Sequence, residues 1–100
     1  MNTRRQLRYH SDAADEADAA LDWYLERSPR AAAAFITELE YAAERILESP
    51  SRWPRFGKFR RYLLPTFPFS VIYKIRDFEV EVVAVAHHRR LPGYWKMRTD

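Results

Sequence analysis

The 100 residues, 47% of them hydrophobic and 15% aromatic, suffice for one packed domain and exclude intrinsic disorder. With no cysteine, no apolar targeting segment and no run near the ~20 apolar residues of a membrane span, we expect a cytoplasmic protein without disulfides, thiolate metal sites or a membrane partner. The net charge of +3 divides into −4 for residues 1–50 and +7 for residues 51–100, and the basic half predicts an anionic partner, either nucleic acid or an acidic protein segment.

The chain begins with a predicted strand and a predicted helix. Residues 4–9 alternate weakly between polar and apolar types and predict a short first strand. Ser11 and Asp12 have the side chains of helix N-caps, and the apolar spacing that follows predicts a first helix over residues 12–27. The residues that we assign to its buried side are Ala14, Ala17, Leu21, Trp23, Tyr24 and Leu25.

Acidic residues occupy the other side of this first helix. Asp15 and Glu16 lie near its positive end, where the helix dipole favours negative charge. Asp15, Asp18 and Asp22 are spaced like a carboxylate cluster, but this spacing is more typical of a solvated helix face. With only three histidines and no cysteine, a dedicated zinc site is not expected. We therefore predict neither a metal ion nor a cofactor.

A second helix follows with almost no intervening loop. Ser28 offers a capping hydroxyl, and Pro29 suits the first helical position because that position needs no amide hydrogen bond. Pro50 ends the helix near Ser49. Its apolar stripe consists of Phe35, Leu39, Ala42 and Ile46, widened by Ile36, Ala43 and Leu47. The two helices therefore form a hairpin whose apolar side needs a cover.

The second half of the chain predicts the sheet that provides this cover. Segments rich in β-forming residues span 59–64, 69–75 and 80–86, and a short turn over 76–79 joins the last two. The order strand–helix–helix–strand–strand–strand predicts an α+β fold, with the helical hairpin on one face of a mostly antiparallel sheet. We expect residues 1–100 to form a single domain of this kind.

Several short motifs add to this order of elements. They are, in chain order, Asp22-Trp23-Tyr24, Ser49-Pro50, Arg52-Trp53-Pro54, Phe67-Pro68-Phe69-Ser70-Val71-Ile72-Tyr73, Val85-Ala86-His87-His88-Arg89-Arg90 and Pro92-Gly93-Tyr94-Trp95. None is diagnostic alone, but their order and spacing together form a strong signal. In this combination the chain resembles, over nearly its whole length, the RelE/ParE superfamily of toxins from type II toxin–antitoxin systems.

The resemblance implies a toxin that inhibits growth and is neutralised by a cognate antitoxin, so a hetero-oligomer with that antitoxin is expected. ParE-like members, among them plasmid stabilisation proteins, act on DNA gyrase, and this is the mechanism that we favour. RelE-like members instead cleave messenger RNA in the decoding site of the ribosome. The third alternative is a non-toxic, degenerate member that only binds its antitoxin, because kinship at the level of the fold does not choose a mechanism.

The segment from His87 to Trp95 contains the residue types that RNA cleavage would need. Attack of a ribose 2′-hydroxyl on the adjacent phosphate is helped by a base, a proton donor and positive charge. Histidine can take either proton role, arginine binds phosphate oxygens, and an aromatic ring can stack on an unpaired base. Because adjacent strand residues point to opposite faces, His87 and His88 are not expected to share one substrate or metal ion.

The resemblance assigns possible catalytic roles to four residues, for a RelE-like mechanism only. His88 corresponds to a catalytic arginine of RelE-like enzymes, Tyr94 to a functional tyrosine, and Arg61 lies near a basic strand position that contacts RNA. Arg89 is the fourth candidate, as an additional positive charge. Ser70 stands where these nucleases usually carry an arginine that stabilises transition-state charge, and this departure favours the ParE-like mechanism.

Basic and aromatic residues are interleaved in a segment without acidic residues that runs from Ser49 to Arg76. This mixture suits a phosphate backbone with stacked bases, and it suits an acidic, amphipathic antitoxin segment equally well. The predicted RNA- or partner-binding residues are Arg52, Arg55, Lys58 and Arg60, with Arg90 and Trp95 from the C-terminal segment. The interleaved aromatic residues are Trp53, Phe56, Phe59 and Tyr62.

Overall fold

A helical hairpin covers one face of a five-stranded mixed sheet in the computed structural model, which describes residues 5–99. The elements are β1 (Gln6–Tyr9), α1 (Ser11–Arg27), α2 (Pro29–Glu48), β2 (Arg55–Phe56), β3 (Phe59–Leu63), β4 (Phe69–Ile75) and β5 (Glu79–His87), with short 3-10 helices at Pro50–Arg52 and Lys96–Arg98. The strand order is β1-β5-β4-β3-β2, with β1 parallel to β5 and the other pairs antiparallel. The predicted α+β class is confirmed.

The helix starts are set by local side chains, as predicted for α2 but not for α1. Ser28 caps α2, since its Oγ accepts the Ala31 N–H at 3.1 Å. The predicted caps of α1 are wrong, because His10 caps this helix and its Nδ1 accepts the Asp12 N–H at 3.0 Å. Histidine Nδ1 is as many bonds from the backbone as a side-chain oxygen of Asp or Asn, so it takes the same position.

The main core lies between the hairpin and the sheet. Tyr73 of β4 and Phe35 of α2 are its largest fully buried side chains, and the Tyr73 hydroxyl donates to the Pro50 carbonyl at 2.5 Å. Of the residues assigned to the buried side of α1, Trp23 is 52% exposed and Leu25 is 49% exposed, so these two assignments are wrong. The residues of α1 that are buried against the sheet are the small alanines Ala13 and Ala20. The Trp23 side chain lies beside this contact rather than in it.

A β-bulge divides the apolar residues of β5 between the two faces of the sheet. Tyr73 pairs with Val82, whereas Ile72 pairs with Ala84, so Val83 is the extra residue. Val82 faces the hairpin, but Val83 and Ala84 both belong to a second apolar cluster on the opposite face. The buried members of this second cluster are Phe59, Ile72, Val83, Ala84, Ala86 and Trp95. The face away from the helices is therefore also apolar, and the C-terminal segment covers part of it.

The sheet has one more strand at one edge than the sequence predicts. The two-residue strand β2 was not predicted, because a strand of this length leaves no alternating pattern. The first strand, predicted over residues 4–9, is observed as β1 (Gln6–Tyr9). Arg4 lies outside the described residues. No helix in the described part of the chain is long and apolar enough to cross a membrane.

Candidate functional site

A pocket of about 200 Å³ opens on the sheet face that the helices do not cover. Four of the predicted site residues meet there from separate parts of the chain: Arg61 lies in β3, His88 and Arg90 follow β5, and Trp95 is in the C-terminal segment. We call this cavity the open-face pocket. The rest of its wall is formed by Phe56, Leu63, Ser70, Ile72, Ala86, His87 and Pro92. No acidic residue lines it, so its electrostatic character is cationic.

His88 and Ser70 are hydrogen-bonded within the open-face pocket. His88 Nε2 lies 3.0 Å from Ser70 Oγ, and the serine is 3% exposed. The histidine lies just beyond the end of β5, where its backbone N–H donates to the Pro68 carbonyl at 2.9 Å. A histidine beside a neutral hydroxyl has no carboxylate to orient it or to stabilise its charged form. The pocket can therefore hold an anion, but it lacks a paired acid and base.

His87 packs on the helix side of the sheet, away from the His88 ring. Its ring meets Phe69, a residue of the main core, edge to face at 5.0 Å between ring centroids. Burial lowers the pKa of His87, and the charges of Arg89 and His88 lower it further. Both histidines line the open-face pocket, but the His87 ring packs on Phe69 of the main core whereas His88 is bonded to Ser70.

Beyond the end of β1, the edge of β5 is closed by side chains rather than by another strand. β1 pairs with β5 only as far as Tyr9. Further along, the Glu16 carboxylate accepts the Val85 N–H at 2.9 Å, and the Arg98 guanidinium donates to the Val83 carbonyl at 3.0 Å. These bonds satisfy backbone groups that a neighbouring strand would otherwise pair.

The same carboxylate holds the C-terminal segment in place. Glu16 Oε2 accepts the Tyr94 hydroxyl at 2.6 Å and lies 2.9 Å from Arg98 Nη2. The Arg90 guanidinium stacks on the Tyr94 ring, 3.7 Å from its centroid. We call Glu16, Tyr94 and Arg98, with the β5 edge that they cover, the Glu16 clamp. Tyr94 therefore lies outside the open-face pocket with its hydroxyl already engaged.

Arg89 borders a different surface, an apolar groove of about 470 Å³ between α1 and the end of β5. Trp23 and Tyr24 of α1 form one wall, and Phe69 and His87 form the other. The structure thus does not bring the four possible catalytic residues together, since Arg61 and His88 share the open-face pocket whereas Arg89 and Tyr94 lie elsewhere.

The remaining predicted binding residues lie on the β2–β3 hairpin and the segment before it. Arg52, Arg55 and Lys58 are exposed. Arg60 is half-buried because its Nη1 donates to the Ser51 carbonyl at 3.0 Å and the Trp53 carbonyl at 2.8 Å. Arg60 therefore fixes the hairpin against the preceding 3-10 helix, and the other three cations face solvent.

Glu16 organises this part of the molecule, and the sequence does not indicate it. The sequence places it at the favourable end of the helix dipole, as an ordinary acidic residue of α1. Its partners Val85 and Arg98 are 69 and 82 residues away, so no local pattern marks it. The one signal in the sequence is that Glu16 shares its side of the helix with alanines, whereas Asp15, Asp18 and Asp22 form the solvated face.

We expect stability to fall at both ends of the pH scale through the Glu16 clamp. Burial would raise the pKa of Glu16, but hydrogen bonds from Arg98, Tyr94 and the Val85 N–H outweigh it and lower the pKa below 4.5. The stability that the ionised Glu16 contributes is therefore fully present above pH 4.5, and it is lost as pH falls through the lowered pKa. Burial and then Glu16 raise the pKa of Tyr94 from 10.0 to about 12, so its contribution is lost as pH rises from 10.0 through about 12.

Urea unfolding of the wild type and the Tyr94→Phe and Glu16→Gln variants at a series of pH values checks both limbs. Tyr94→Phe should flatten the alkaline limb only in part, because burial also raises the pKa of Tyr73 to about 12. Glu16→Gln should flatten the acid limb. An acid limb that is identical in the wild type and Glu16→Gln would contradict the assignment.

Comparison with known proteins identifies the same fold. The chain matches, over residues 7–92, the family model described as the ParE toxin of the type II toxin–antitoxin system parDE. Among solved structures it is similar to a chain of the chromosomal ParDE toxin–antitoxin system from P. aeruginosa, with a TM-score of 0.73 and 16% identity over 86% of this chain and 98% of that chain. At this identity the likeness shows the fold alone. Comparison with curated proteins gave no match.

Proposed function

This chain belongs to the ParE toxin family of type II toxin–antitoxin systems, and from this premise we propose that it inhibits growth by binding DNA gyrase and is neutralised by a cognate antitoxin. The match over residues 7–92 is the observation that carries the proposal, because it spans the hairpin, the sheet and most of the open-face pocket. We further propose a cytoplasmic location, where both targets considered for this fold are found.

The chemistry of the open-face pocket supports binding rather than cleavage. His88 is hydrogen-bonded to the uncharged Ser70, and no carboxylate lines the pocket to complete an acid–base pair. The positive charge that would stabilise a phosphorane-like transition state must then come from Arg61 or Arg90, and Arg90 already lies 3.3 Å from Glu16. A cationic, partly apolar pocket of this kind suits contact with a partner protein.

A supercoiling assay with purified gyrase tests this proposal. We expect the chain to inhibit supercoiling and to leave a coupled translation reaction unaffected, with full-length transcripts. His88→Ala should keep the inhibition within about twofold, because a single exposed contact residue rarely dominates an interface. The cognate antitoxin should restore supercoiling when added. Intact gyrase activity at a large excess of the chain would contradict the proposal.

The second candidate is a ribosome-dependent mRNA endoribonuclease, which the meeting of Arg61, His88 and Arg90 in one pocket favours. In this case induction should arrest translation with cut transcripts, and His88→Ala should lower cleavage by about 10²-fold or more. If induction leaves growth unchanged while the chain still binds the antitoxin, the result supports the third alternative, a non-toxic member of the family.

We also propose that the antitoxin covers the apolar groove between α1 and β5. The groove has an exposed Trp23 in its wall, and Arg89 at its rim forms no salt bridge within residues 5–99, so the groove suits an acidic, amphipathic segment. Such a cover would bury an apolar groove that carries an exposed tryptophan.

A further inference from the structure

Three cationic side chains converge on a small cleft at the β2–β3 edge of the sheet. Arg55, Lys58 and Arg60 line this cleft of about 140 Å³ together with Phe59 and Ile75. Arg55 and Arg60 are paired directly across the hairpin, and the turn between the strands contains Gly57 at a φ of +62°. Like charges facing each other across two strands are unfavourable unless an anion offsets them. No acidic side chain lines the cleft, which therefore lacks an internal counter-ion.

The cations around the cleft are also free of ion pairs. Within residues 5–99, neither Arg55 nor Lys58 forms a salt bridge, and the same holds for the neighbouring Arg52 and Arg61. In contrast, Arg98 at the other end of the sheet is held by Glu16 at 2.9 Å. The hairpin thus presents unneutralised positive charge on one edge, opposite in sign to the acidic helical half.

The rings interleaved with these cations are already covered. The Arg52 guanidinium lies 5.0 Å from the Trp53 ring centroid and that of Arg61 lies 5.8 Å from Phe56, while Phe59 is only 3% exposed. A protein that binds single strands needs exposed rings on which unpaired bases stack. The rings next to the cleft therefore offer little exposed surface, and the ligand chemistry that the cleft favours is phosphate.

We propose that the β2–β3 hairpin binds the phosphate backbone of duplex DNA without sequence preference. Arg55 and Lys58 at the mouth of the cleft each contact a phosphate group, Arg60 forms the inner wall, and Arg52 contacts a third phosphate beside them. A duplex is favoured over a single strand because its bases are paired and its regularly spaced phosphates need only fixed positive charges. This inference is independent of gyrase inhibition, since the purified chain can bind DNA whether or not it acts on the enzyme.

Binding of a fluorescent 20-bp duplex, followed by anisotropy at several salt concentrations, tests the proposal. About three phosphate contacts predict a slope of log K against log salt of roughly −3, and hence a loss of about 40-fold in affinity between roughly 50 and 200 mM salt. Arg55→Gln with Lys58→Gln should reduce the slope by about 2. The charge-matched control is Arg27→Gln with Arg30→Gln on the helical hairpin, which should leave the slope unchanged.

Three results would overturn the proposal. They are an equal loss in both double variants, tighter binding of a single-stranded 20-mer than of the duplex, and displacement of the duplex by inorganic phosphate at constant ionic strength. The last result would assign the cleft to a free anion instead of DNA. Inhibition of supercoiling is measured on the wild-type chain and DNA binding on the variants, so that a failure of gyrase binding and a failure of DNA binding are seen separately.

Discussion

Replacing Glu16 with alanine is expected to lower the free energy of unfolding by about 3 kcal/mol or more, because it breaks a largely buried ion pair on one side only. The side chains of Glu16 and Arg98 are 15% and 14% exposed. Without the carboxylate, Arg98 keeps its charge in a desolvated position, and the Val85 N–H and Tyr94 hydroxyl lose their acceptor. The loss therefore combines unsatisfied donors with a charge that keeps only the exposed Asp12 carboxylate, 3.6 Å from Arg98 Nε, as a partner.

Urea unfolding of Glu16→Ala measures this loss, and Glu26→Ala is the matched control. Glu26 lies on the same helix, but its side chain is 75% exposed and its pair with Arg27 is 3.5 Å long. The control should change the free energy of unfolding by less than about 0.5 kcal/mol. Glu16→Gln should fall between the two, since it keeps an acceptor for the Val85 N–H without the charge. A Glu16→Ala variant as stable as the control would mean that the clamp does not stabilise the fold.

Much of the fold was predictable because its signals are local. Ser28 and Pro29 begin α2 through the chemistry of the first turn, and Pro50 ends it, so the hairpin follows from neighbouring residues. The β-forming runs predicted over 59–64, 69–75 and 80–86 agree with β3, β4 and β5 to within one residue at each end. Consecutive strands with short connections then pair as antiparallel neighbours.

What could not be predicted depends on partners that are distant in sequence. Glu16 and Glu38 both belong to helices, where their carboxylates look like ordinary surface charges. Yet Glu38 accepts the N–H groups of Thr66 and Phe67 at 2.8 and 3.1 Å, and so fixes the loop before β4. The β-bulge at Val83 is similar, because it lies in the apolar run Val82–Ala86 of β5, which carries no mark of the change in register.

The candidate site was predicted only in part for a related reason. Arg61 and His88 meet as the resemblance implied, because β3 and the end of β5 both flank β4. After His87 the chain leaves the strand, so side-chain alternation no longer assigns residues to faces. Tyr94 consequently reaches Glu16 rather than His88.

Replacing Trp95 with alanine is expected to lower the free energy of unfolding by about 3–5 kcal/mol, because a large buried ring is removed from the second apolar cluster. Trp95 is 3% exposed and meets the Phe56 ring at 5.4 Å between centroids. Its indole N–H has no hydrogen-bond partner among residues 5–99, so Trp95→Phe loses packing volume but no hydrogen bond. We expect that variant to cost about 1.5 kcal/mol or less, measured by urea unfolding.

The comparison of these two variants decides what Trp95 does in the open-face pocket. The sequence suggests a partner-binding residue, whereas its burial makes it the inner wall of the pocket. If the ring only supports the wall, Trp95→Phe should retain both stability and inhibition of supercoiling, and Trp95→Ala should lose stability. If the indole N–H instead reaches a partner, Trp95→Phe should fold normally and lose inhibition. A Trp95→Ala variant within about 1 kcal/mol of the wild type would contradict its place in the core.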